Sequence, residues 1–137
     1  MNITSQQADK VLEYAKAKAK EIKIPMNIAL IDEGANLKSF YRMDDALLGC
    51  IDIAIKKAKT SRLFEKNTED LGKLSQLGEP LYLIESSNDG LISFAGGVLL
   101  RNTSGQIVGA IGVSGGSVEQ DKEVAMAGAD ILLSDIY

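Results

Sequence analysis

Hydrophobic residues near the start of the chain recur at intervals of three and four, which is the spacing of an amphipathic helix. These positions are Val11, Leu12, Ala15, Ala19 and Ile22. The run Thr4-Ser5-Gln6-Gln7 precedes them and predicts a capping box, in which Thr4 is the N-cap and Gln7 reaches back to it. We expect the helix to end before Pro25, because the residue that precedes a proline disfavours the α region.

Three more helices are predicted from similar patterns. One face of the second helix contains Leu47, Ile51, Ala54, Ile55 and Ala58. Asp44 or Asp45 is the candidate N-cap of this helix. Thr68 can cap a short third helix. The run Ser117-Val118-Glu119-Gln120 is a second capping box and predicts a last helix that continues to near Ser134.

Short apolar runs that are bounded by turn residues predict five strands. The runs are Met26–Ile31, Leu37–Met43, Leu81–Glu85, Leu91–Leu100 and Gln106–Ser114. Strands joined by tight turns, such as Asn88-Asp89-Gly90, must be antiparallel, because parallel pairs need long crossover connections. The pattern therefore predicts an α+β fold, with one twisted five-stranded antiparallel sheet covered by helices. No linker or internal repeat divides residues 1–137, so we expect a single domain.

The net charge and the distribution of apolar residues disfavour two classes of partner, nucleic acids and membranes. The net charge of −4 disfavours a nucleic acid, and we interpret the lysine clusters at Lys16–Lys23 and Lys56–Lys59 as solvated helix faces. No apolar run approaches the roughly 20 residues that span a bilayer. The N-terminal residues lack the pattern of a signal peptide. We therefore expect a cytoplasmic protein that binds neither nucleic acid nor a membrane.

The sequence contains no histidine and one cysteine, which restricts the chemistry. A Ser-His-Asp triad, a Cys-His pair and the ordinary zinc sites are excluded. We interpret Cys50 as a small buried hydrophobe, and the pair Asp44-Asp45 as helix caps rather than a magnesium site. No set of residues identifies a reaction, so we expect a protein that is not an enzyme and has no catalytic residues or metal site.

The most specific segment is Phe94–Gly128, which is rich in glycine. Its glycines lie between a strand and a helix, as in a phosphate-binding loop, but their spacing fits no phosphate motif. Glu119, Asp121 and Glu123 in the first turns of the last helix would repel a phosphate. Small residues follow on one side of that helix, at Ala125, Gly128, Ala129 and Leu132. They indicate either core packing or a contact between subunits.

This segment resembles the GlcG/HbpS family of haem-binding-type domains, which also form the C-terminal part of PduO-type proteins. The strongest match is Arg101–Asp121, and Asn36–Asp44 matches a second stretch. The resemblance implies a profilin-like or PAS-like α+β domain that assembles into a homo-oligomer, a dimer or a multiple of dimers. Asn36 stands where many relatives carry histidine. Because an amide oxygen is a poor ligand for haem iron, we expect no tight stoichiometric haem complex.

Other haem ligands remain open, namely Cys50, Met26, Met43, Tyr41 and Tyr82. Three functions also remain open: an accessory protein that binds a small molecule beside glycolate, glycerol or propanediol catabolism, a haem-binding or haem-degrading protein, and a structural assembly module. For a ligand we predict a site for a small carboxylate, where glycine N–H groups and arginine side chains meet. Its residues are Asn36, Arg42, Gly96, Gly97, Arg101, Gly115 and Gly116.

Overall fold

The computed structural model describes residues 1–134, which form four α-helices and four strands. The helices are α1 (Ser5–Ile22), α2 (Cys50–Phe64), α3 (Thr68–Leu74) and α4 (Val118–Asp130). The strands are β1 (Asn27–Asp32), β2 (Leu37–Arg42), β3 (Gly97–Arg101) and β4 (Ile107–Ser114). Within these residues, none of the helices combines the length and the apolar character that a membrane crossing requires.

The strands form one antiparallel sheet in the order β2-β1-β4-β3. Alternate residues of β1 point to opposite faces, as a pleated strand requires. Ile28 and Leu30 belong to the larger core, which α1 and α4 cover, whereas Ala29 and Ile31 pack beneath α2. The strand β1 is therefore buried on both faces, and β2 and β3 form the two edges of the sheet.

The helix α2 lies unusually close to the sheet because the residues between them are small. Ala54 and Ala58 face β4, and a Cβ atom on Gly112 would overlap the carbonyl oxygen of Ala54. Gly112 therefore permits close packing of α2 against β4. This contact brings the polar residues of α2 close to the backbone of β4.

Both predicted capping boxes are present, at Thr4 with Gln7 and at Ser117 with Gln120. The other two predicted N-caps are wrong. Helix α2 begins only at Cys50, and neither aspartate caps it, since its N-cap is Gly49. Asp45 adopts a left-handed conformation in the preceding turns.

Helix α3 also lacks a side-chain cap, because its first residues bind β3 instead. The Thr68 hydroxyl accepts a hydrogen bond from the Gly97 N–H at 2.9 Å. The Asn67 side-chain oxygen accepts one from the Leu99 N–H at 3.0 Å. Two outward N–H groups of an edge strand are thereby satisfied, as a sheet edge requires.

The prediction of five strands is wrong, because the described residues form four. The run Leu81–Glu85 contains turns and a short 3-10 helix, and only the end of Leu91–Leu100 is extended. Left-handed backbone at Leu83, Asn88 and Asp89 interrupts the extended conformation that a ladder needs. Between α3 and β3, three large apolar side chains are at least half exposed, those of Leu77, Tyr82 and Leu83.

The small-residue face of α4 belongs to the core. Ala125 is fully buried and Ala129 nearly so. A Cβ atom on Gly128 would lie 3.0 Å from the Ile111 side chain and 3.0 Å from the Val11 carbonyl oxygen. Gly128 therefore allows α4 to pack closely against α1 and the sheet, and the subunit-contact interpretation of this face does not hold for these three residues.

Gly128→Leu should lower the free energy of unfolding by about 1–3 kcal/mol or more, because the added side chain has no room between α4 and α1. Urea unfolding followed by circular dichroism measures this loss. Gly49→Ala is the matched control, since its backbone is helical and nothing lies within 4 Å of an added Cβ atom. Equal stability of Gly128→Leu and the control would contradict this account of the packing.

Candidate functional site

A buried ion pair between Lys57 and Asp121 lies where α2, β4 and α4 meet. Lys57 is 0% exposed and Asp121 3% exposed. The Lys57 Nζ atom donates to Asp121 Oδ2 at 2.9 Å and to the Val113 carbonyl oxygen at 2.8 Å. The ring of Phe94 covers the ammonium, with its centroid 5.0 Å from Nζ. The charge is therefore compensated by a carboxylate, a carbonyl dipole and an aromatic face.

The second oxygen of Asp121 binds the turn that connects β4 to α4. Asp121 Oδ1 accepts a hydrogen bond from the Gly116 N–H at 2.8 Å. Asp121 lies in the first turn of α4, as predicted, but it is buried and paired with Lys57. The interpretation of Lys57 as part of a solvated helix face is wrong, because Lys57 is fully buried. One carboxylate instead joins α2, the glycine turn and the beginning of α4.

Burial governs the proton equilibria of both partners. Burial lowers the pKa of Lys57, and the hydrogen bond to Asp121 opposes this shift. Burial also raises the pKa of Asp121, against the effect of Lys57 and of the Gly116 and Gly115 N–H groups. Each charge is thus costly to bury, and each is tolerated because its partner is present.

Four of the predicted site residues surround this pair, namely Gly96, Gly97, Gly115 and Gly116. Gly96 has a φ of +127°, and a Cβ atom there would lie 2.5 Å from Lys57 Nζ. A Cβ atom on Gly97 would lie 2.5 Å from the Lys57 carbonyl oxygen. The N–H groups of the glycine turn do bind a carboxylate, but the carboxylate belongs to Asp121.

The other three predicted residues lie elsewhere. Asn36 is in the turn between β1 and β2, where its N–H binds Asp32 Oδ1 at 2.9 Å. Arg42 ends β2, whereas Arg101 ends β3 at the opposite edge of the sheet. The fold therefore does not bring the seven residues into one pocket. Ligand binding by any of them stays a prediction.

A groove of about 530 Å³ lies beside the edge strand β3, between α3 and α4. Its apolar lining consists of Leu74, Val98, Leu99, Met126, Ala129 and Leu133. Its charged lining consists of Glu65, Lys66, Asp70, Lys73, Arg101 and Asp130, and Asn67 contributes an amide. Arg101 is the one residue that this groove shares with the predicted site, and its guanidinium donates to the Gly105 carbonyl oxygen at 2.9 Å.

The sulfur and phenol groups considered as haem ligands are mostly engaged elsewhere. Met26 is fully buried, and the Met43 sulfur accepts the Met26 N–H at 3.4 Å. The Tyr41 ring lies 3.9 Å beneath Lys16 Nζ, and Tyr82 is half-exposed. Cys50 is half-buried at the first residue of α2, rather than fully buried as predicted.

Three residues of these sites were not predicted as site residues from the sequence: Lys57, Asp121 and Met126. A signal for Lys57 was available, because it lies on the same face of α2 as Ala54 and Ser61, and the alanine interval predicts burial. Met126 follows Ala125 and adjoins the buried face of α4, which predicts a partly covered side chain. Nothing in the local pattern indicates that Asp121 turns inward.

Lys57→Met should lower the free energy of unfolding by about 3–5 kcal/mol, because it leaves Asp121 buried without its partner. The double variant Lys57→Met/Asp121→Asn should lose less, since the neutral amide can still accept the Gly116 N–H. Urea unfolding at neutral pH compares the two. A double variant less stable than Lys57→Met would show that the charge of Asp121 is not the cause.

The loss in Lys57→Met should shrink as the solution is acidified from about pH 7 to about pH 5. Burial raises the folded-state pKa of Asp121 above its ordinary value, and loss of the ammonium raises it further. A group with a raised folded-state pKa stabilises the folded state as the pH falls through that value. The same unfolding titration at several pH values tests this, and a loss independent of pH would contradict it.

Comparison with known proteins places the chain in a family. The family model described as "Haem degrading protein HbpS-like" matches residues 3–130. An uncharacterized 15.0 kDa protein from the dhaT-dhaS intergenic region of Citrobacter freundii is 37% identical over 128 residues, covering 93% of this chain and 90% of that protein. The corrinoid adenosyltransferase PduO of the same organism is 35% identical over 126 residues, covering 91% of this chain.

The match spans 37% of PduO, so this chain corresponds to little more than a third of that enzyme's length. Among solved structures, the crystal structure of a PduOC:heme complex superposes with a TM-score of 0.90 at 30% identity, covering 95% of this chain and 94% of that one. Both the predicted family and the α+β architecture are thus confirmed, with four strands in the described residues. The chain belongs to the HbpS-like family.

Proposed function

We propose that this chain is an accessory binding protein, and that the groove along β3 binds an amphipathic small molecule that carries carboxylate groups. The observation that supports this proposal is the groove itself. Its volume of about 530 Å³ lies within the roughly 300–1,000 Å³ range typical of ligand pockets. An apolar floor bounded by a few charged groups is the arrangement that such pockets share.

The lysine and arginine side chains of the groove indicate that the polar groups of the ligand are carboxylates. Among the described residues, neither Lys66 nor Arg101 has an acidic side chain within 4.0 Å. Lys73 contacts Asp70 at 3.5 Å, and both side chains are more than half exposed, so a ligand can compete for this lysine. The acids Glu65, Asp70 and Asp130 restrict where the negative groups of a ligand can lie.

Haem is the first specific candidate, because the PduOC relative is described as a heme complex. A flat apolar body with carboxylates at one edge suits the floor and rim of the groove. The groove offers the haem iron only a weak ligand, since the sulfur of Met126 is the one soft donor among the lining residues. A methionine can ligate haem iron, usually together with a histidine, which this sequence lacks.

We place this binding function beside small-carbon catabolism of the glycolate, glycerol or propanediol type. One relative is encoded in the dhaT-dhaS intergenic region, and another is named as the corrinoid adenosyltransferase PduO. The genes adjacent to this one test the assignment, because an accessory protein is expected beside the enzymes that it serves.

We further propose that the protein forms a dimer or a multiple of dimers. Leu77 is 83% exposed, Leu83 61% and Tyr82 51%, and all three belong to the irregular segment between α3 and β3. A group of exposed large apolar side chains is typical of an interaction surface. Closed symmetric assemblies are the commonest result when copies of one chain associate.

Leu133→Asp should weaken the binding of protoporphyrin IX by at least about tenfold, or 1.4 kcal/mol, because it puts a charge against the apolar floor. Leu133 is 59% exposed, so the fold should tolerate the change. Leu48→Asp is the control, since Leu48 is 69% exposed and does not line the groove. Fluorescence titration measures the affinities. Equal affinity in wild type and Leu133→Asp would place the ligand elsewhere.

Haemin should bind with nearly the affinity of metal-free protoporphyrin IX, because a lone thioether adds little to iron ligation in the absence of histidine. Met126→Ala should change the Soret spectrum of the haemin complex, because it removes the one sulfur among the lining residues, while leaving protoporphyrin affinity within about threefold. Parallel titrations provide both values. Haemin affinity more than 100-fold above that of protoporphyrin, about 2.7 kcal/mol, would show a strong iron ligand and overturn this expectation.

The double variant Leu77→Lys/Leu83→Lys should sediment as a monomer, whereas the wild type should sediment as a dimer or a multiple of dimers. Like charges introduced on a self-complementary surface repel each other when it pairs. Sedimentation equilibrium at micromolar concentration gives both masses, and circular dichroism checks that the variant remains folded. A monomeric wild type would refute the assembly, and an unchanged oligomer in the variant would move its interface.

A further inference from the structure

A single ion pair crosses the cleft between α3 and α4 in the described part of the chain. Glu69 Oε2 on α3 lies 2.5 Å from Lys122 Nζ on α4. The two side chains are 40% and 44% exposed, so solvent reaches both. Other ion pairs of these helices, such as Lys73 with Asp70, stay within one helix. The Glu69–Lys122 pair is therefore a strap between two walls that are otherwise separated by the groove.

The strap lies next to the large groove. Met126 follows Lys122 by one helical turn, and its side chain lines both the large groove and the shallower depression beside Lys122. On the facing helix, Glu69 directly precedes Asp70, which lines the large groove. A molecule seated on the apolar floor therefore needs to extend only past Met126 to reach the Lys122 ammonium.

We infer that Lys122 anchors a carboxylate of the bound molecule, and that Glu69 occupies this anchoring position until the ligand displaces it. The inference rests on the proposed function, since it names the contact that selects the ligand of the same groove. The Glu69 carboxylate shows that the cleft already admits a carboxylate at contact distance from Lys122. A ligand carboxylate presents the same two oxygens to the same cation.

The electrostatics of the strap permit such an exchange. The hydrogen bond to Glu69 raises the pKa of Lys122, and the same bond lowers the pKa of Glu69, so both groups stay charged at neutral pH. An exposed ion pair contributes little to stability, because water screens it and two flexible side chains must be ordered. Opening the strap thus costs little, and a carboxylate held by the apolar floor replaces the one that leaves.

The test uses protoporphyrin IX, which carries two carboxylates, and its dimethyl ester, which carries none. Glu69→Gln should bind protoporphyrin IX about three- to tenfold more tightly, because Lys122 then has no carboxylate at contact distance. Lys122→Gln should bind it about three- to tenfold more weakly. Neither change should alter the affinity for the ester by more than about twofold. Glu21→Gln and Lys18→Gln, from an exposed pair on α1, serve as matched controls.

The outcomes separate this inference from the proposed function. Weaker or unchanged binding by Glu69→Gln, or unchanged binding by Lys122→Gln, overturns the anchoring role even where Leu133→Asp still identifies the groove as the site. Equal changes for the acid and the ester overturn it as well, because they indicate altered shape rather than a lost charge contact. Failure of the wild type to bind either porphyrin overturns the groove proposal and this inference together.

Discussion

The contact between Lys57 and Asp121 sets the constraint on which the rest of this fold depends. Two charges are removed from water, and each is costly to bury, so the structure must hold them in contact. Meeting that condition fixes α2 against the end of β4 and fixes the first turn of α4 against the glycine turn. It also explains the glycines nearby, since Gly96 and Gly97 make room for the side chain and backbone of Lys57.

The same kind of contact sets the positions of the two helices that border the groove. Asp121 holds the beginning of α4 in place, while Asn67 and Thr68 attach the beginning of α3 to the edge of β3. The two helices are thus anchored at one end each by buried or partly buried hydrogen bonds. Between them the contact is an exposed ion pair, which water and small ions can weaken. The surface on which we expect a ligand to bind therefore lies between two helices that are each attached at one end and joined across the cleft by an exposed ion pair.

Local patterns predicted the parts of this structure that depend on local interactions. Both capping boxes are formed as predicted, because a helix start is decided within four residues. The apolar content of Leu81–Glu85 and Leu91–Leu100 predicts strands. Left-handed residues interrupt the extended backbone there, and none of the described strands pairs with the part before Gly96. Lys57 and Asp121 are 64 positions apart, and no periodicity relates a lysine to such a distant acid. The glycine turn predicted as part of a ligand site binds a carboxylate of the same chain, that of Asp121.

The attachment of Asn67 and Thr68 to β3 also limits how the sheet can grow. A sheet can grow from copy to copy indefinitely only when each copy has two edge strands that can both accept a new strand. Here the Gly97 and Leu99 N–H groups are already occupied by side chains, so the β3 edge cannot accept a new strand at these positions. The remaining edge is β2. Edge-to-edge association of folded copies through β2 would therefore join two of them and leave no comparable open edge for a third.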